Sequence, residues 1–125
     1  MKRERIKTVI LAWLPAILYM ALIFALSSIP VLASYSKHLP FRDKGAHFLE
    51  YAILGALTTH ASGRTFPELH RARVFLFGVA LATVFGISDE LHQAFVPGRR
   101  ADFGDIIADF LGAAVGGLVR LTIRR

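Results

Sequence analysis

Two stretches of the 125-residue chain concentrate the side chains that could do chemistry. The first, DKGAHFLEY, runs from Asp43 to Tyr51 and holds Asp43, Lys44, His47, Glu50 and Tyr51. The second, DELHQAFVPGRRADFGDIIAD, runs from Asp89 to Asp109 and adds Glu90, Gln93, Arg99, Arg100, Asp102 and Asp105. Three chemistries are open to these residues. His47 could act as a general acid or base, oriented by Asp43 or Glu50. Glu90, Asp105 and Asp109 could hold a divalent ion together with His47, because hard oxygen ligands suit Mg²⁺ or Mn²⁺. Arg99, with Arg100 and Lys44, could contact phosphate, arginine through its bidentate fork. A metal is not assigned from sequence, since the pairs His47/Glu50 and Asp105/Asp109 have only generic helical spacing.

The elements that must position these residues are apolar. Hydrophobic residues make up 54% of the chain and charged residues 19%, with a mean hydropathy of +0.51, so lipid is the expected solvent for much of it. Thr8 to Leu26 is a run of 19 residues without a charge, enough for a helix to cross a bilayer core. Pro15 within it is tolerated in membrane helices. A cleaved signal peptide competes, with KRER as its basic start and VLAS as a weak cleavage site, but the apolar run exceeds the usual length of such a segment. Three more apolar segments follow. The expected architecture is an all-α, integral membrane four-helix bundle, one domain over residues 1–125, with spans at about 8–27, 44–62, 73–92 and 103–121.

Charge gives the expected orientation. With the N-terminus inside, Lys2, Arg3, Arg5, Lys7, Arg64, Arg71, Arg73, Arg120, Arg124 and Arg125 are cytoplasmic, ten of the fifteen basic residues, and Lys37, Arg42, Lys44, Arg99 and Arg100 are outside. Both termini are then cytoplasmic. The net charge of +6 is read as this topology signal, and nucleic acid is not an expected partner. The acids sort the other way. Asp43, Glu50, Asp89, Glu90, Asp102, Asp105 and Asp109, seven of nine, fall toward the outer side. Topology does not require that, since acids weigh little in orientation.

Helical spacing gathers them. Asp43, His47 and Glu50 stand at i, i+4 and i+7, with Tyr51 on the adjoining side, and Asp102, Asp105 and Asp109 at i, i+3 and i+7. Glu50 and Asp109 come out at similar depth, where a carboxylate costs roughly 2–3 kcal/mol and should face the bundle with a partner. The expectation is a shared polar pocket at the outer leaflet. The competing reading is an interhelical network of His47, Glu50, Glu90, Gln93 and Arg99 that only fixes the bundle. Bonds of that kind average about 0.6 kcal/mol in membranes, which explains seven acids poorly. Gly112/Gly116 and Gly78/Ala82/Gly86 are small-residue ladders read as packing within the chain. His38, His60, His70 and His92 receive no role. Trp13 and Tyr19 are read as packing or lipid contacts, and Phe41, Phe95 and Phe103 as interfacial anchors. The absence of cysteine removes disulfides, thiolate metal sites and a cysteine nucleophile.

DKGAHFLEYAILGAL and DELHQAFVPGRRADFGDIIADFLGAAVG together resemble the VanZ-like family of small bacterial membrane proteins, named for a protein linked to teicoplanin resistance. The matching positions are Asp43, Lys44, His47, Tyr51, Glu90, Gln93, Pro97, Arg99, Asp105, Gly112 and Gly116. The chain departs from the pattern at Asp109, where the family tends to have asparagine. The resemblance implies a four-helix protein of the bacterial inner membrane and a cell-envelope role, and supplies neither a reaction nor a cofactor.

Two functions stand at this stage. One is recognition or shielding of a lipid or cell-wall-precursor headgroup, contributing to glycopeptide resistance, with Asp43, Lys44, His47, Tyr51, Glu90, Gln93, Arg99, Asp105 and Asp109 as ligand-binding residues. The other is an intramembrane acid/base or metal-dependent enzyme acting on a lipid-linked phosphate, with His47, Glu50, Glu90 and Asp105 as its candidates. A proton or solute pathway ranks last, because the inner half offers only Thr58, Thr59, His60 and Thr83. The partners expected are the bilayer and a lipid-linked cell-wall precursor. Oligomeric state is left open.

Overall fold

A computed structural model of the chain describes residues 1–29, 40–97 and 102–123. They form four α-helices: α1 (Lys2–Ser27), α2 (Pro40–Thr65), α3 (Arg71–Gln93) and α4 (Phe103–Ile123). No strand occurs among the described residues. At 1.5 Å per residue the shortest, α4, is about 31 Å long, which matches a bilayer core of about 30 Å. Three helices, α1, α3 and α4, are long and apolar enough to cross a membrane. The chain is therefore an all-α membrane protein.

The helices outrun the apolar windows that reveal them. α1 begins at Lys2 and α2 ends at Thr65, because basic residues at helix ends do not break a helix. α1 is continuous through Pro15. His70 caps α3, its Nδ1 accepting from Ala72 N at 3.1 Å. Asp102 caps α4 through Oδ1, which accepts from Gly104 N at 2.8 Å.

α2 is the central helix and packs against the other three, most extensively against α4, while α1 packs on α2 and α3. That position accounts for its composition. A helix enclosed by others need not be apolar all round, and α2 buries His47, Tyr51, Thr58, Thr59 and Ser62. α1 instead exposes Ile10, Leu11, Leu14, Ile17, Leu18 and Leu22, a surface suited to lipid.

The α2–α4 contact is a backbone approach. A Cβ on Gly112 would strike the carbonyl of Phe48, and one on Gly116 the carbonyl of Ala52. This seam fixes α4 so that Asp105 and Asp109 lie beside His47 at one end and Arg120 beside His60 at the other. Between them sits the apolar core of Ile23, Tyr51, Leu54, Val79, Ala82 and Ala113.

Candidate functional site

The site lies where the start of α2, the end of α3 and the start of α4 meet. On α2 the buried side is His47, Tyr51 and Leu54, at i, i+4 and i+7. Glu50 is only partly buried and stands at the edge of that face, within electrostatic reach of Tyr19 and Tyr51. On α3, Asp89, Glu90 and Gln93 are all buried, at 2–4% exposure, and on α4 so are Asp105 and Asp109. Two helices thus bring four acids and one amide, and α2 brings His47 and Tyr51, to one end of an otherwise apolar bundle.

Most of these groups are satisfied. His47 Nδ1 and Asp109 Oδ1 are 2.8 Å apart, and His47 Nε2 lies 3.7 Å from Asp105 Oδ2. Lys44 bridges Asp102 at 2.7 Å and Asp105 at 2.8 Å. The Lys44 ammonium, followed by the Gly104 N–H, holds the Asp102 carboxyl below the usual carboxylate range. Glu90 Oε2 accepts from the Asp102 backbone N–H at 2.7 Å, tying α3 to the start of α4.

Two buried carboxylate oxygens stand apart: Glu90 Oε1 and Asp109 Oδ2 have no hydrogen-bond partner, and neither does the Tyr51 hydroxyl. Asp109 Oδ2 lies against Gly86, where an added Cβ would come within 2.9 Å of it, so the glycine makes its room. Leaving such an oxygen unmatched costs about 1–3 kcal/mol, and more when it is charged. His47, Glu90 and Asp109 each offer one ligand atom, and these atoms all lie within 4.8 Å of one another. Two hard carboxylates and one imidazole make a donor set suited to Mg²⁺ or Mn²⁺. The trio takes one residue from each of three helices and differs from the set weighed from sequence in leaving out Asp105.

Of the residues singled out by sequence, the structure brings together Lys44, His47, Tyr51, Glu90, Asp105 and Asp109. Gln93 is buried on the other side of α3, where its Nε2 donates to Asp89 Oδ2 at 3.2 Å and to Ser27 Oγ at 3.3 Å. The side chain of Asp43, and all of Arg99 and Arg100, lie outside the described residues.

Sequence reasoning missed a second polar contact, between α1 and α3. Ser27 Oγ donates to Asp89, 2.6 Å from Oδ1 and 2.8 Å from Oδ2. One turn on, Ser28 Oγ is 2.8 Å from His92 Nε2, and His92 stacks on Phe24 with ring centroids 4.1 Å apart. The available signal was the i, i+4 spacing of Asp89 and Gln93, together with the serine pair that ends the first apolar run. Trp13, read as a packing residue, also donates to Thr65 Oγ1 at 2.7 Å.

Comparison with known proteins adds one finding. Residues 10–124 match the family model described as VanZ/LLP1. No curated protein and no solved structure matches the chain.

Proposed function

The chain belongs to the VanZ/LLP1 family, and from that premise we propose that it recognises a phosphate-bearing lipid or cell-wall-precursor headgroup through a divalent cation held by His47, Glu90 and Asp109. The observation that carries this reading is the pair of buried, unpartnered carboxylate oxygens, Glu90 Oε1 and Asp109 Oδ2, in a trio of ligand atoms within 4.8 Å. The local charge supports a cation. Lys44 is engaged by Asp102 and Asp105, which leaves Glu90 and Asp109 facing His47. A cation among them relieves the cost of buried negative charge and offers its remaining coordination positions to phosphate oxygens. Asp105, 3.7 Å from His47 Nε2, orients the imidazole from outside the trio.

In this reading all four helices cross the bacterial inner membrane as one domain. Both termini are cytoplasmic and the site is at the outer leaflet. Lys44, Arg99 and Arg100 add cationic contacts near the headgroup, and shielding of the precursor contributes to glycopeptide resistance. The test is binding of a lipid-linked cell-wall precursor to the purified chain in nanodiscs. Binding should strengthen with Mg²⁺, fall with a chelator, and lose its metal dependence in Glu90→Gln and Asp109→Asn. Precursor binding that ignores the chelator and both substitutions would refute the metal bridge.

The alternative of catalysis rests on a separate observation, the His47 ring set between Asp109 and Asp105. An imidazole held by a carboxylate on one nitrogen is arranged to move a proton at the other. Turnover of a lipid-linked phosphate that His47→Gln abolishes while precursor binding persists would move the assignment from recognition to an enzyme.

A further inference from the structure

Among the described residues, the loop-end acids meet one ammonium, that of Lys44. It stands between two carboxylates in unlike surroundings, a half-exposed Asp102 and a buried Asp105. The Lys44 side chain itself is 41% exposed. Its stem passes over Gly104, where an added Cβ would come within 2.9 Å of Lys44 Cε. The next residue on its own helix, Gly45, has open space where a side chain would stand. Lysine carries a compact charge on a flexible four-carbon stem, so this ammonium can swing toward the surface and leave both acids.

Asp105 is shared unequally. Its Oδ1 is 2.8 Å from Lys44 Nζ, within bonding distance, while its Oδ2 is 3.7 Å from His47 Nε2, beyond it. Asp105 is thus turned to the ammonium and stands outside the trio of His47, Glu90 and Asp109, although it neighbours His47. An ammonium and a hard divalent ion compete for the same carboxylate. While Lys44 holds Asp105, an octahedral ion in the trio must fill its other positions with water or phosphate. Once Lys44 leaves, Asp105 is a buried carboxylate without a cation, and the ion is the nearest charge to relieve it. A phosphate group arriving from the exposed side meets the Lys44 ammonium before it reaches the buried trio.

Resting on the cation reading above, we infer that Lys44 couples the two ligands of this site. Bound phosphate draws the ammonium from Asp105, and Asp105 Oδ2 turns onto the cation as a fourth protein ligand. Without phosphate, Lys44 keeps the site in a weaker, three-ligand state. The site therefore selects a cation and a phosphate group presented together, and the coupling is reciprocal, since each ligand favours the arrangement the other needs.

The test is a double-mutant cycle of Lys44→Gln and Asp105→Asn in the full-length chain, in a phosphate-free detergent with Mn²⁺ as the probe. Electron paramagnetic resonance reads the affinity, and its pulsed form in D₂O counts the waters on the bound ion. Lys44→Gln should bind Mn²⁺ about tenfold more tightly than the parent and with one water fewer. Asp105→Asn should reverse both effects in that background and leave the water count of the parent unchanged. With methyl phosphate in excess, the parent should lose two waters, one to phosphate and one to Asp105, and Asp105→Asn only one. Loss of a nearby positive charge would by itself tighten Mn²⁺ in Lys44→Gln, but with an unchanged water count and an equal effect of Asp105→Asn in both backgrounds. That result overturns the inference while leaving the cation site standing, as does a Lys44→Gln variant that binds no more tightly than the parent. Absence of Mn²⁺ binding in all four forms overturns the cation reading and the coupling with it.

Discussion

The two ends of this bundle are built from the same helices and treat charge in opposite ways. At the loop end, acids from α3 and α4 are buried and matched one by one to Ser27, Lys44, His47 and a backbone amide, until two oxygens are left over. At the terminal end, Arg64, Arg71 and Arg120 line a hollow, Arg71 bonding to a carbonyl and Arg120 to an imidazole. The contrast separates two reasons for a charge in a membrane helix. A buried carboxylate cannot be left unpaired, so nearly every acid reveals its partner. A guanidinium at a helix end can reach the interface and still sit on a cavity wall. The loop end is therefore defined by what its partners fail to satisfy, and the terminal end by the space its cations enclose.

The most severe way to break the comparison is to separate α2 from α4. Gly116→Leu drives a side chain into the carbonyl of Ala52, so both ends should be lost together and no monodisperse protein should elute on size exclusion. Next comes His47→Ala, which strips Asp109 of its partner. The loss should be about 3–5 kcal/mol, read as the thermal unfolding midpoint, and an equivalent Arg120→Ala at the terminal end should cost much less. Ser27→Ala removes a charge-assisted bond to Asp89 that Gln93 Nε2 still partly covers, for about 1 kcal/mol. The smallest effect belongs to the Lys44–Asp102 pair, about half exposed, where Asp102→Asn, which keeps an oxygen for the Gly104 N–H and leaves Lys44 on the buried Asp105, should cost under about 1 kcal/mol. The Asp102 carboxyl is held below its ordinary value, so its contribution is present at neutral pH. It is lost as pH falls through the depressed folded-state value, and unfolding followed between neutral and acid pH should show that dependence weaken in Lys44→Ala.

Hydropathy made α1, α3 and α4 legible, because helices facing lipid must be apolar along most of their length. α2 was harder to read. Its centre is enclosed by protein, so Thr58, Thr59 and Ser62 are admitted where a lipid-facing helix would carry aliphatic residues. In the site, helical spacing placed His47, Glu90, Asp105 and Asp109 at one level, but it gave Glu50 equal standing with Tyr51. Only the packing of α3 and α4 decides that the buried face passes through Tyr51. Ser27 stayed invisible for a related reason. Its bond to Asp89 depends on the register of α1 against α3, which no local spacing encodes. The cationic cavity was hidden by a sufficient explanation already in place, since positive residues at one side of a membrane need no further cause.

The central claim, that the loop end holds a cation while the terminal end does not, is most directly tested by electron paramagnetic resonance of Mn²⁺ with the purified chain. The expected result is one bound Mn²⁺ per chain, lost in Asp109→Asn and in Glu90→Gln and unchanged in Arg64→Gln. A chain that binds no Mn²⁺, or an Asp109→Asn variant that binds it as well as the parent, would contradict it.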